Sequence, residues 1–154
     1  SYIKAKVNET GAMLGGELSG HICFSERWFG FDDGLYSAAR LLEIVGSQED
    51  SLSDLLKEFP NSITTPEIHI GVDDEDKFDL VQSLIQAADF EDATTTTIDG
   101  LRVDFSDGWG LVRVSNTEPA ITLRFEADNN EALEDIKGAF KELLQEVRKD
   151  LDFA

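Results

Sequence analysis

The sequence predicts an α+β fold: a four-to-five-stranded, mainly antiparallel sheet with two helices on one face, preceded by the tail of an α/β three-layer domain. Three observations predict it. The chain between residues 94 and 126 runs as short alternating segments separated by Asp99-Gly100 and Asp107-Gly108, and Asp-Gly pairs between alternating runs favour tight hairpins. Two stretches of helical period, residues 75–89 and 130–151, bracket that meander, so helices and strands are segregated and cover one another. Residues 1–60 carry helices with apolar faces but too little strand to make a sheet under them.

The elements follow in order. SYIKAKVNE alternates weakly and suits either a strand or a helix, with Gly11 ending it. Residues 12–24, AMLGGELSGHICF, read as a short strand, a glycine-punctuated turn and a second extended piece. An aromatic patch comes next, then an acidic cap at Asp32 or Asp33 and a helix with Leu35, Ala38, Ala39, Leu42 and Val45 on one face. Gly46 is its natural stop. A short helix over residues 51–59 has Ser51 and Asp54 in capping-box positions and Pro60 just beyond.

Residues 1–60 thus read as an incomplete α/β domain, residues 61–66 as a polar linker or hinge, and residues 67–154 as an α+β domain. EIHIGV, residues 67–72, is a strand with Ile68, Ile70 and Val72 on one side. The helix over 75–89 is expected to bury Phe78, Val81, Leu84, Ile85 and Ala88. TTTTI, LRVDF and WGLVRV form the meander. AITLRFEA closes it with Ile121, Leu123 and Phe125 on one face and Thr122, Arg124 and Glu126 on the other. The last helix is expected to bury Leu133, Ile136, Phe140, Leu143, Leu144 and Val147.

Composition bounds the function. With 154 residues, 41% of them hydrophobic, the chain is globular in type, enough for one medium domain or a small domain with an incomplete neighbour. A formal charge of −19 argues against nucleic acid and anionic membranes, because a polyanion gains nothing from such surfaces. No apolar run has the length of a membrane span, and a soluble, cytoplasmic protein is expected. The single cysteine, Cys23, excludes an internal disulfide and reads as a small buried side chain. The acidic run at residues 73–76 lacks the spaced oxygen ligands and turn glycine of a calcium loop, and carboxylates at helix starts are favoured by the helix dipole.

Two stretches carry chemistry. RVSNTEP, residues 113–119, joins two strands and brings together a guanidinium (Arg113), two hydroxyls (Ser115, Thr117), an amide (Asn116) and backbone N–H groups. That set suits a phosphate, although Ser, Asn and Thr are also ordinary turn residues. GGELSGH, residues 15–21, places Glu17, Ser19 and His21 around one glycine-rich turn. Carboxylate and hydroxyl suit sugar hydroxyls, and a plain turn with a structural histidine is the other reading.

GGELSGH, then ERWFGFDDGLYSAARLLEI, then DGLRVDFSDGWGLVRVSNTEP resemble, as an ordered set, the carboxy-terminal part of bacterial phosphomannomutase/phosphoglucomutase in the α-D-phosphohexomutase superfamily. The resemblance extends over essentially the whole chain, from the end of the family's sugar-binding third domain through its phosphate-binding fourth. It implies a cytoplasmic enzyme that interconverts hexose 1-phosphate and hexose 6-phosphate through a bisphosphorylated sugar of the glucose 1,6-bisphosphate type, using an active-site phosphoserine and Mg²⁺. By motif position it implies that Glu17 and Ser19 bond sugar hydroxyls and that His21 lines the same pocket. Arg113, Ser115, Asn116 and Thr117 would grip the phosphate that is not reacting, with Arg124 reinforcing them. Asn116 is closer to the mannose and glucose enzymes than to the glucosamine relatives, and Leu18 replaces a methionine common in the resembling loop.

The resembling family's nucleophilic serine loop and aspartate-rich metal loop are in neither stretch. The expectation is therefore a substrate-recognition portion without catalytic or metal-binding residues of its own, inactive when isolated and partnered by missing N-terminal domains. The alternative is a freestanding phosphosugar-binding or regulatory module without mutase chemistry.

Overall fold

The computed structural model describes residues 2–17, 19–59 and 61–153; Leu18 and Pro60, both named above, lie outside them. The chain divides into two units, Ser1–Pro60 and Asn61–Ala154.

In the first unit the ambiguous opening is a helix, α1 (Tyr2–Thr10), followed by a two-stranded antiparallel hairpin of β1 (Leu14–Gly16) and β2 (Ile22–Phe24). α1 packs closely on β1, for a Cβ at Gly15 would lie 2.5 Å from Val7 Cγ2. The hairpin tip closes through Gly20 N–H donating to Glu17 O at 2.9 Å, and Gly20 takes φ +85°, which a side chain would resist. Two helices follow, α2 (Gly34–Gly46) and α3 (Leu52–Leu56). Asp33 caps α2 by accepting from Tyr36 N, and Ser51 caps α3 by accepting from Asp54 N. Residues 57–59, read as the end of α3, are instead turn and bend.

The apolar face expected of α2 is not its packed face. Leu35 and Leu42 are 88% and 71% exposed, and no α2 residue is fully buried. The packed side carries Tyr36 and Arg40. Trp28 stacks on Tyr36 at 4.2 Å, Phe24 meets it edge-on, Arg40 lies 4.8 Å over Phe24, and Arg40 Nη2 pairs with Glu26 at 2.9 Å. Aromatic and charge-assisted contacts have oriented the helix, leaving its aliphatic stripe outward.

The second unit contains β3 (Ile63–Thr64), β4 (Ile68–Gly71), α4 (Lys77–Ala87), β5 (Thr94–Thr96), β6 (Leu101–Asp104), β7 (Gly108–Val114), β8 (Ala120–Ala127) and α5 (Asn130–Val147). Its six strands pair antiparallel in the order β3-β8-β7-β6-β5, and β4 pairs with β8 as well. β3 and β4 share the outer side of β8, so six strands occupy five ranks. The sixth comes from the stretch read as a linker, where Ile63 lies opposite Ala127 and Thr64 opposite Glu126. Pro66 has no N–H to continue the ladder. There Thr65 N–H donates to Phe125 O at 2.9 Å, and Thr65 Oγ1 accepts from Phe125 N–H at 3.1 Å.

Leu101, Val103, Val112, Ile121, Leu123 and Phe125 form one sheet face and are 0–1% exposed. α4 and α5 cover that face. Gly110 shows how closely α5 lies, since a Cβ there would sit 2.4 Å from the Phe140 ring. The buried residues of α4 are Lys77, Leu80, Val81 and Leu84, while Phe78, expected in the stripe, is outward. α5 stops at Val147, not near residue 151. Arg148 is extended, and the chain after it sends Leu151 and Phe153 into the core, with Phe153 stacked 5.4 Å from Phe125.

Candidate functional site

The loop after β7 is built by register. Val114 pairs with Ile121, and Ser115 N–H donates to Ala120 O at 3.0 Å, leaving residues 116–119 to turn. Ser115 is buried, with its Oγ accepting from Glu118 N–H at 3.2 Å, so that hydroxyl shapes the loop and keeps its own proton to donate. Asn116 and Thr117 are exposed at the tip. Under the loop lies a residue that sequence reasoning missed. Lys77, 5% exposed at the start of α4, donates from Nζ to Ser115 O at 2.9 Å and Glu118 O at 3.2 Å, and pairs with Asp74 at 2.6 Å. A buried ammonium is tolerated because all three of its protons have partners. It pins both ends of the tip, with its charge balanced by Asp74.

Arg113 projects from β7 on the sheet face that the helices leave open. Its register partner on β8 is Thr122, whose own partner on β4 is His69. Arg124 sits on the same face, opposite Leu111. Thr122 Oγ1 and Arg124 Nε are buried atoms without hydrogen-bond partners, beside a half-exposed Arg113. Unpartnered donors of this kind are costly in a folded core and cheap where a ligand or water completes them. Arg113 faces Glu67 at 3.4 Å and Asp99 at 3.9 Å; His69 Nδ1 faces Glu118 at 3.2 Å.

In the first unit, Glu17 and His21 flank the hairpin tip, and both line an open pocket of about 290 Å³ with Ile3, Lys4, Cys23 and Asp32. Ser19 is exposed in the turn and is not among those lining residues. His21 Nδ1 is hydrogen-bonded to Asp32, whose other oxygen accepts from Ile22 N–H at 3.2 Å. That hydrogen bond, with the charge of Asp32 behind it, raises the imidazole pKa above 6.5 and lowers that of the carboxyl. Asp32, read as a candidate helix cap, is thus the partner of His21, and Asp33 is the cap. With Nδ1 engaged, the other ring nitrogen is the one free to donate to, or accept from, a ligand hydroxyl.

The chain thus carries a polar strand-to-strand loop propped by a buried lysine in an α+β unit, and a glycine-containing hairpin turn beside an oriented histidine in the smaller unit before it. Residues 67–143 match the family model of the phosphoglucomutase/phosphomannomutase C-terminal domain, and residues 1–63 match that of the alpha/beta/alpha domain III. The chain belongs to the phosphoglucomutase/phosphomannomutase family. It is 54% identical over 151 residues to a phosphomannomutase/phosphoglucomutase of Pseudomonas putida, covering 98% of this chain and 33% of that protein. It is 50% identical over 147 residues to a phosphoglucomutase of Neisseria gonorrhoeae, covering 94% of this chain and 32% of that one. A crystal structure of a phosphoglucomutase/phosphomannomutase family protein from Burkholderia thailandensis superposes with a TM-score of 0.87 at 45% identity, covering 97% of this chain and 31% of that chain. The chain therefore spans about a third of the length of the relatives it matches.

Among the described residues no three His, Cys, Asp or Glu side chains gather to hold a metal ion, so the residues present do not fit the Mg²⁺ that the resemblance implies. Among them, too, no helix is long and apolar enough to cross a membrane.

Proposed function

We propose that this chain is the substrate-recognition portion of a phosphohexose mutase that interconverts hexose 1-phosphate and hexose 6-phosphate, of the mannose or glucose series, through a bisphosphorylated intermediate. Arg113, Ser115, Asn116 and Thr117, with Arg124 beside them, hold the phosphate that is not reacting. Glu17, Ser19 and His21 read the ring hydroxyls. Phosphoryl transfer belongs to N-terminal domains of the whole protein, which would also hold any Mg²⁺, and the whole protein works in the cytoplasm.

The observation that carries this reading is the loop at residues 115–118, fixed from below by the buried Lys77 and flanked by the half-exposed guanidinium of Arg113. A guanidinium offers two parallel donors to a phosphate, and exposed hydroxyls and amides at the tip take up the remaining oxygens. The task also demands tolerance: the intermediate presents first one phosphate and then the other, and a shallow, exposed tip accepts both. Each hydroxyl contact from Glu17 acts as acceptor, and Ser19 acts as either donor or acceptor, so neither depends on one sugar orientation.

Arg113→Lys tests it. A point ammonium cannot reproduce the paired donors, so affinity for glucose 1-phosphate should fall about three- to ten-fold in an NMR titration that follows the amides of residues 115–117. Unchanged affinity in the variant would remove Arg113 from the phosphate site.

A further inference from the structure

Two arginines on the open sheet face are held in different ways. Arg102 is clamped, with Nε and Nη2 donating to Asp104 at 2.5–3.0 Å and its guanidinium 4.2 Å over the Trp109 ring. Arg113 has two carboxylates near it and a close grip from neither: Glu67 at 3.4 Å and Asp99 at 3.9 Å, on different nitrogens. These acids come from the residue before β4 and from the turn between β5 and β6, remote from Arg113 in sequence. The fold brings them there. His69, two strands away across β8, is faced by Glu67 at 3.9 Å and by Glu118 of the loop at 3.2 Å.

Exposed ion pairs at such separations are weak, and a doubly charged phosphate outcompetes a single carboxylate for a guanidinium. A phosphate arriving at residues 115–117 takes its Arg113 contact from these acids, and they recover the guanidinium when it leaves. We infer that Glu67 and Asp99 are built-in competitors for Arg113 that keep phosphate binding short-lived. The inference rests on the reading of residues 113–117 as a phosphate loop. It gives that loop a regulator suited to a ligand that must let go and rebind by its other end.

The test uses the 154-residue chain and inorganic phosphate at pH 8 and low ionic strength, where phosphate is a dianion, with NMR following the Arg113 side chain and the amides of residues 115–117. Glu67→Gln should bind phosphate about three- to five-fold tighter, with slower dissociation, and Asp99→Asn about two-fold tighter, in keeping with its longer distance. Glu131→Gln, on α5 across the sheet, removes the same charge far from the loop and should change affinity by less than about 1.5-fold. If wild type saturates at the loop and Glu67→Gln binds equally or more weakly, the competitor role is overturned and the phosphate loop stands. The competitor role is overturned equally if Glu131→Gln matches Glu67→Gln, because net charge alone would then explain the gain. If no protein, wild type or variant, gives saturable shifts at residues 115–117, the phosphate loop and the competitor role both fall.

Discussion

Helices α2 and α5 both carry an aliphatic stripe, and only α5 covers it. Leu133, Ile136, Phe140, Leu143 and Leu144 are 0–7% exposed, while Leu35, Leu41, Leu42 and Ile44 of α2 are 45–88% exposed. In the second unit the stripe meets a five-rank sheet. In the first, the hairpin is two strands of three residues, which α1 and the Tyr36 side of α2 already occupy, so it leaves the aliphatic stripe of α2 uncovered. An apolar period in a sequence therefore announces a face to be buried without naming what buries it.

The sharpest way to break the comparison is to delete one large side chain from each stripe. Phe140→Ala should destabilise the second unit by about 3–5 kcal/mol, measured by urea unfolding of Trp109 fluorescence in a Trp28→Phe background. Leu42→Ala should change stability by less than about 0.5 kcal/mol. Amide exchange should follow the same division, slow in β7 and β8 and fast in α2; equal protection would show that the first unit has stability its exposed face does not suggest.

A smaller effect is expected at Lys77. Lys77→Met leaves Ser115 O and Glu118 O without their donor and should cost about 1–3 kcal/mol while broadening the amide signals of residues 115–118. A variant with sharp, unmoved loop signals would show that the tip holds its shape unaided.

The smallest change concerns His21. Because its folded pKa is raised, its contribution is complete below the ordinary imidazole value of 6.5 and is lost as pH rises through the raised value. The lowered Asp32 contributes above the ordinary 3.8 and is lost as pH falls through its lowered value. The hairpin tip is thus best held between those two ordinary values. Asp32→Asn should return the His21 midpoint towards 6.5 in a ring-proton NMR titration; an unaltered midpoint would dissociate the pair.

Alternation made the sheet legible from sequence, down to the opposed faces of β8. The two Asp-Gly pairs located its hairpins. Lys77 stayed hidden because it lies in DDEDKFDL, a run that reads as a solvated acidic helix start. Yet Lys77, Leu80, Val81 and Leu84 have the i, i+3, i+4, i+7 spacing of a helix face as good as the one centred on Phe78. The core that takes Leu80 and the carbonyls of a loop more than 35 residues away select between them. β3 was invisible for a different reason. Two residues cannot show a period, and their pairing is decided by β8. The candidate phosphate and hydroxyl residues were visible as side-chain chemistry, whereas the acids around Arg113 arrive from other strands and leave no local pattern.

The break between β3 and β4 also bears on how this sheet meets copies of itself. An outer strand with a continuous row of free N–H and C=O groups invites another chain to add to it. Here that border is interrupted between Thr64 and Ile68, where Pro66 has no N–H to offer. The opposite border is β5, only three residues long. Both borders are short, two and four residues on one side and three on the other, and outer strands this short offer little regular backbone on which another chain could add.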